Sequence, residues 1–217
     1  MKVAIAYCYP QVNLRSYFPL ASRFMDTYRK FPAGEAHELH VICNGGEPGS
    51  AYRAPFKGTS SAFHVRDNTG WDIGSYQWAA ENIPCDLLVC LGAPVHFHRS
   101  GWLVRMVESY LNNAPCLCGC WAYLHPNWHV RTTAFWTDPN IIRSYPYVIG
   151  SARSSRYDFE HGKNSITRHV LKADMDCIMV SWKGEFGLKQ WSNHAPGTSD
   201  SLVHDQFVHN PGSIKTR

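Results

Sequence analysis

The densest grouping of chemically useful residues is Asp67-Asn68-Thr69-Gly70-Trp71-Asp72-Ile73-Gly74, followed at once by Ser75-Tyr76-Gln77-Trp78-Ala79-Ala80-Glu81-Asn82. Two glycines four apart, with an Asn and an Asp interleaved, make a tight turn that exposes backbone, and the aromatic and Ala-rich run behind it reads as a helix. A turn feeding a helix start is where an open α/β sheet receives a phosphate or a nucleotide. The competing reading is conformational only, with Gly70 and Gly74 permitting an awkward loop.

Twelve histidines and eight cysteines raise the question of a metal. Cys116, Cys118 and Cys120 alternate along an apolar run and so share one face of a strand. Consecutive i, i+2 thiolates are badly disposed for one tetrahedral ion. Cys8, Cys43, Cys90 and Cys177 lie in apolar strand-like runs, where a thiol behaves as a small hydrophobe, so reduced cysteines are expected. His96 and His98 are candidates for phosphate or acceptor contacts. They could also hold a softer ion with His204 or His209, or serve only as polar loop residues. Neither His-x-x-x-His nor His-Glu-x-x-His occurs on a helix, and no Gly-Lys-Ser/Thr phosphate loop is present.

The elements that must position these groups belong to an α/β pattern. A chain of 217 residues with 44% hydrophobic content supports one substantial core, so one domain is expected. No run approaches the ~18 apolar residues of a membrane span, and the first residues lack a signal-peptide pattern, which points to a soluble cytoplasmic protein. A formal charge of +4, spread along the chain, admits an anionic substrate without demanding nucleic acid.

Lys2 to Tyr9 reads as a buried strand, Leu14 to Phe31 as an amphipathic helix, and Glu38 to Asn44 as a second strand, implying a parallel crossover. A loop rich in Gly, Pro and Ser then runs through Ser61. After the glycine turn and its helix, Asp86 to Leu91 forms a central strand. It ends in the loop Gly92 to His98, with a helix over Trp102 to Leu111 beyond. Pro115 to Tyr123 and His129 to Thr137 read as strands, and Asp138 opens a short helix through Tyr145. Ser151 to Arg156 reads as a mobile polar loop, Tyr157 to Leu171 as an acidic, His-bearing start to a helix, and Asp176 to Trp182 as a strand. From Lys183 the chain lacks long periodicity and reads as a tail or lid.

This order, with the strand ending at Pro10, the Asn68-x-Gly70-x-Asp72-x-Gly74 turn, the central strand ending at Leu91 and the Glu160-His161 pair, resembles GT-A-fold nucleotide-sugar glycosyltransferases. The likeness is to the rhamnan-synthesis and capsular-polysaccharide branch. It implies a single Rossmann-like domain with a mainly parallel sheet flanked by helices, residues 1–182 binding donor and catalysing, and 183–217 as a tail or lid. By resemblance Tyr9, Pro10 and Asn44 line the nucleobase pocket. Asn68, Gly70, Asp72 and Gly74 lie beside the nucleotide, Asp72 bonding base or ribose, and Gly92, Ala93 and Pro94 face the donor. Glu160 matches the acid that serves as catalytic base, with His161 in place of a second acid.

Such enzymes commonly hold a divalent cation, Mn or Mg, on acidic residues ending the central strand, where this chain has Gly92-Ala93-Pro94. Another charge must then neutralise the leaving diphosphate. His96, His98, Arg99, Arg105, Arg153, Arg156, Lys163 and Arg168 are the cationic candidates, Lys163 and Arg168 also for acceptor contacts. No acidic metal site is expected; His96 and His209 remain the candidate ligands. Two classes stay open. One is a glycosyltransferase moving sugar from a nucleotide-sugar donor to a glycan or other hydroxyl acceptor. The other is a non-catalytic GT-A-like domain that binds nucleotide or glycan.

Overall fold

The computed structural model describes residues 1–193 and 200–207. The first half alternates β1 (Val3–Pro10), α1 (Leu14–Lys30), β2 (Glu38–Asn44), the short α2 (Ser50–Arg53), β3 (Ser61–Arg66), α3 (Trp71–Asn82) and β4 (Leu87–Leu91). There follow β5 (Val95–Phe97), α4 (Trp102–Asn113), β6 (Cys116–Gly119), β7 (Ala122–Tyr123), β8 (His129–Val130) and β9 (Ala134–Thr137). The chain continues with α5 (Pro139–Arg143), α6 (Arg153–His161), α7 (Ile166–Lys172), β10 (Asp176–Ser181), β11 (Gly184–Gly187) and β12 (Val203–Asp205).

Eight strands form one sheet in the order β11-β10-β6-β9-β4-β1-β2-β3. Strands β1 to β4 are parallel, as are β6 and β10, while β9 and β11 run against their neighbours. The expected α/β architecture is therefore present, with a mixed, mainly parallel sheet. From β1 the chain builds outward through β2 and β3, and β4 then lands on the other side of β1. That reversal lies at the carboxyl ends of β1 and β4, the place where an open α/β sheet receives its ligands.

Alternation along β1 decides the packing. Val3, Ile5, Tyr7 and Tyr9 face a layer with Phe24 and Met25 of α1 and Trp102 and Met106 of α4. Ala4, Ala6 and Cys8 face Ile73, Tyr76, Ala79 and Ala80 of α3. Small residues on both sides of that second contact let α3 approach the sheet closely, which brings its first turn over the strand ends.

Four local expectations change. The run Pro115 to Tyr123 is two strands: β6 stays in the main sheet, and after Cys120 and Trp121 the chain leaves it to pair as β7 with β8. The run His129 to Thr137 splits likewise into β8 and β9. Ser151 to Arg156 is not all loop, because α6 begins at Arg153. Glu160 and His161 end a helix instead of opening one: Gly162 stops α6, and Ser165 caps the start of α7 through its Oγ. Beyond Lys183 the chain adds β11 to the sheet edge and returns β12 to pair with β5. Among the described residues no helix is long and apolar enough to cross a membrane. Cys116 and Cys118 do share a buried face, their sulfurs 3.4 Å apart.

The departure of β7 and β8 from the sheet needs room at Gly119, where an added Cβ would stand 2.3 Å from Val130 Cγ1. Gly119→Ala is expected to cost about 1–3 kcal/mol by overpacking. Adding Val130→Ala should return part of it, since the second change removes the clash; denaturant unfolding of the two variants and their double tests this. Equal losses with and without Val130→Ala would contradict it.

Candidate active site

Asn44, wholly buried at the end of β2, organises the glycine turn. Its Nδ2 donates to the Trp71 carbonyl at 2.7 Å, and its Oδ1 accepts from Arg66 Nη1 at 3.0 Å. Arg66 Nη2 donates to the Thr69 carbonyl at 2.6 Å, and Asp67 Oδ1 accepts from the Thr69 N–H at 3.0 Å. Gly70 takes φ +75° and Trp71 φ +56°, and α3 starts at Trp71. A non-glycine residue there is strained by about 1–3 kcal/mol, and the Asn44 bond together with Trp71 Nε1 donating to the Ser151 carbonyl at 3.2 Å holds it in place.

The helix thus begins earlier than the sequence pattern indicates, so Asp72 and Gly74 lie within α3, not in a loop ahead of it. Gly74 supplies clearance and no turn: a Cβ would come within 2.1 Å of the Thr69 carbonyl oxygen and 2.9 Å of Arg66 Nη2.

Asp72, in the first turn of α3, faces α6. Its Oδ1 is 3.8 Å from Arg156 Nη1. The Arg156 guanidinium lies 5.5 Å from the Trp71 ring centre and 5.4 Å from that of Tyr157. Its Nε is buried without a hydrogen-bond partner among the described residues. One helical turn on, Glu160 Oε1 accepts from the Thr132 N–H at 3.3 Å. Burial raises the Asp72 pKa above the usual carboxylate value and the Glu160 charge adds to the rise, while Arg156 opposes it. Tyr17 of α1 faces the same charges: burial first, then Cys8 and Asp72, push its phenol pKa up, against Arg156. The Tyr76 hydroxyl, one turn along α3 from Asp72, is buried and has no hydrogen-bond partner among the described residues. Burial, then Asp72, raise its pKa well above the usual phenol value.

The other sequence candidates are placed differently. Pro10 ends β1 beside Asn44. Tyr9 is buried, its ring packed on Phe56 and its hydroxyl donating to the Tyr52 carbonyl at 3.1 Å. The Asn68 carbonyl accepts from the Trp71 N–H at 3.1 Å. Gly92 to Pro94 leave β4 next to β1 but turn toward the α1 face. There the Gly92 N–H donates to the Thr133 carbonyl, the Ala93 carbonyl accepts from Tyr7 and the Pro94 carbonyl accepts from the Gln206 N–H. His96 and His98 are no exposed loop pair. They line β5 against His204 of β12, the His98 and His204 rings stacked at 3.9 Å. Among the described residues no group of three His, Cys, Asp or Glu is disposed to hold a metal ion; His209 lies outside them. Lys163 sits exposed between α6 and α7, and Arg168 donates to Asn127 Oδ1 at 3.1 Å. His161 stacks on Tyr157.

Sequence reasoning missed Arg66, Tyr17 and Tyr76. Arg66 ends a strand, β3, that follows the loop through Ser61 and that the sequence pattern does not mark, and the two tyrosines match the apolar spacing of their helices. Their hydroxyls carry no sequence signal that separates site from core.

No family model matches this sequence, and no curated protein matches it. Solved structures do resemble it. A protein assigned as a glucose-1-phosphate thymidylyltransferase from Bacillus anthracis, in complex with a sucrose, aligns at TM-score 0.53 and 12% identity, over 80% of this chain and 84% of its own. The mannosyltransferase PcManGT from Pyrobaculum calidifontis, solved with GDP-Man and Mn2+, aligns at TM-score 0.59 and 12% identity, over 82% of this chain. This chain spans 54% of that enzyme's length. At such identity the likeness defines the fold, that of the GT-A glycosyltransferases and sugar nucleotidyltransferases.

Because Asp72 binds its proton more tightly in the folded chain, its contribution to stability is present below the ordinary value of 3.8 and is lost as pH rises through the folded value. Thermal midpoints compared from about pH 4 to about pH 7 should therefore fall for the wild type relative to Asp72→Asn, which carries no titrating group there. Parallel curves would show that the carboxylate is not held in a burying, Glu160-facing environment.

Proposed function

We propose that the protein is a glycosyltransferase that moves a sugar from a nucleotide-sugar donor to an acceptor hydroxyl. The observation that carries this reading is the convergence of Asp72, Arg156 and Glu160 at the carboxyl ends of β1 and β4, the ligand-binding end of an open α/β sheet. In this reading Asn44 and the turn from Asn68 to Gly74 shape the nucleoside pocket, with Pro10 at its edge, and Asp72 accepts a hydrogen bond from ribose or base.

Arg156 takes the place of the acidic metal motif. Its guanidinium is fixed by two rings, is only loosely paired with Asp72, and keeps donors available for a diphosphate. Tyr17 is a further donor at the same end. Glu160 is the general base: it takes the proton of the attacking hydroxyl as the new glycosidic bond forms and the nucleoside diphosphate leaves. Its place at a helix C-terminus removes the alternative of an acid stabilising a helix start, since the dipole there disfavours a negative charge. The described residues beyond 182 complete the domain of 1–182 as a tail or lid, which the return of β12 to β5 supports.

Calorimetry with UDP, GDP, CDP and dTDP should find one that binds, and Asp72→Ala should weaken it by about ten- to a hundredfold. Unchanged affinity would take Asp72 out of the pocket. Donor hydrolysis and transfer should be assayed over a panel of nucleotide sugars, with EDTA and with added manganese. Glu160→Gln should lower turnover by about 10²–10⁴-fold with little change in nucleotide affinity, because only a transition-state role is removed. Wild-type turnover in that variant would exclude Glu160 as the base. Nucleotide binding with no transfer under any condition would favour a non-catalytic binding domain.

A further inference from the structure

A strip of rings runs beside Glu160. Tyr123 of β7 and His129 of β8 are cross-strand partners, so their rings stack, 5.7 Å apart and inclined by 16°. His129 meets His161 at 5.5 Å, and His161 stacks on Tyr157 at 5.3 Å and 28°. Arg131 lies 5.9 Å from the Tyr123 ring centre at one end, and Arg153 lies 5.1 Å from that of Tyr157 at the other. A shallow depression of about 530 Å³, lined in part by Ser154, Ser155, Tyr157, His161 and Lys163, opens along the Tyr157 end.

Three of the four rings are not core: Tyr123, Tyr157 and His161 remain partly exposed, whereas His129 is buried between them. The strip also borders the reacting end of the candidate site, since His161 follows Glu160, and His129 lies close enough to Glu160 to feel its charge. Partly exposed rings flanked by hydroxyls and cationic side chains match a sugar chain, whose pyranose units are apolar on their C–H faces and polar around their rims.

We infer that this strip is an acceptor platform for an extended glycan of several pyranose units, and that the acceptor is an oligosaccharide or polysaccharide chain in place of a single sugar. The inference rests on the transferase reading for the role of the bound chain as acceptor. The binding itself is tested independently.

The test is an array of immobilised oligosaccharides, from one to six sugars long, spanning neutral, amino-sugar and uronic-acid chains, probed with the full-length protein. Retention of at least one class is expected, stronger for longer chains than for its monosaccharide. It should fall about tenfold or more in Tyr157→Leu and in Tyr123→Leu, and survive in Tyr157→Phe, which keeps the ring. Thermal melts identify any Leu variant that has lost its fold, and the other Leu variant with the Phe control then decides. No retention on any glycan, retention insensitive to both Leu changes, or equal retention of monosaccharides would overturn the platform. Calorimetry with the four nucleoside diphosphates separates the two proposals. Glycan retention without nucleotide binding leaves the platform standing and sinks the transferase reading, whereas nucleotide binding on a protein that retains no glycan does the reverse.

Discussion

The buried amide of Asn44 is the interaction on which the candidate site depends. It sits where β1, β2 and the start of α3 meet, with its amide nitrogen on the Trp71 carbonyl and within 3.4 Å of Cys8 Sγ, and its oxygen on Arg66. A buried amide is stable only when its donors and acceptor are satisfied, and leaving its partners unpaired would cost about 1–3 kcal/mol. That requirement ties the strained Trp71 backbone to the end of β2. Arg66 then reaches the Thr69 carbonyl, which Gly74 alone leaves room to approach. The direction in which Asp72 leaves α3 follows from these bonds.

The second constraint is electrostatic. Asp72 and Glu160 come from elements far apart in the chain and lie closely enough for the Glu160 charge to add to the rise that burial gives the Asp72 pKa. Arg156 stands between the rings of Trp71 and Tyr157 and offsets that rise only in part, at 3.8 Å from Asp72. A positive group held by ring faces, with hydrogen-bonding capacity left over, is suited to an anion that arrives and departs. Its position on α6, one turn from Glu160, links the charge that would meet a phosphate to the carboxylate that would take a proton.

The layers beneath explain why these groups meet. On one face of β1 large side chains, Tyr7 and Tyr9, fill the space under α1 and α4; on the other, Ala4 and Ala6 let α3 lie close. On that same face Ile141 and Ile142 of α5, Phe159 of α6 and Ile166 of α7 complete the layer. Burying Phe159 turns Arg156 and Glu160, three residues before it and one after, toward the rim above the sheet.

The α/β pattern, the centrality of β4, the parallel pairing of β1 with β2 and the special backbone at Gly70 were legible in the residues. Each rests on local periodicity or on glycine conformational freedom. The sharing of one face by Cys116 and Cys118 followed from strand alternation in the same way. What tertiary structure alone decided was contact between distant segments. The end of α6 at Glu160 and His161 is local by contrast, set by the stop at Gly162 and the cap at Ser165, which the continuous polar pattern masks. The splitting of two long β-prone runs into β6, β7, β8 and β9 depended on the room left at Gly119. The packing of His96 and His98 against β12 and the bond that the Pro94 carbonyl accepts from Gln206 came from a segment more than a hundred residues later in the chain. Tyr17, Arg66 and Tyr76 joined the site for the same reason: a side chain's partner across the sheet is set by packing, and local sequence carries no record of it.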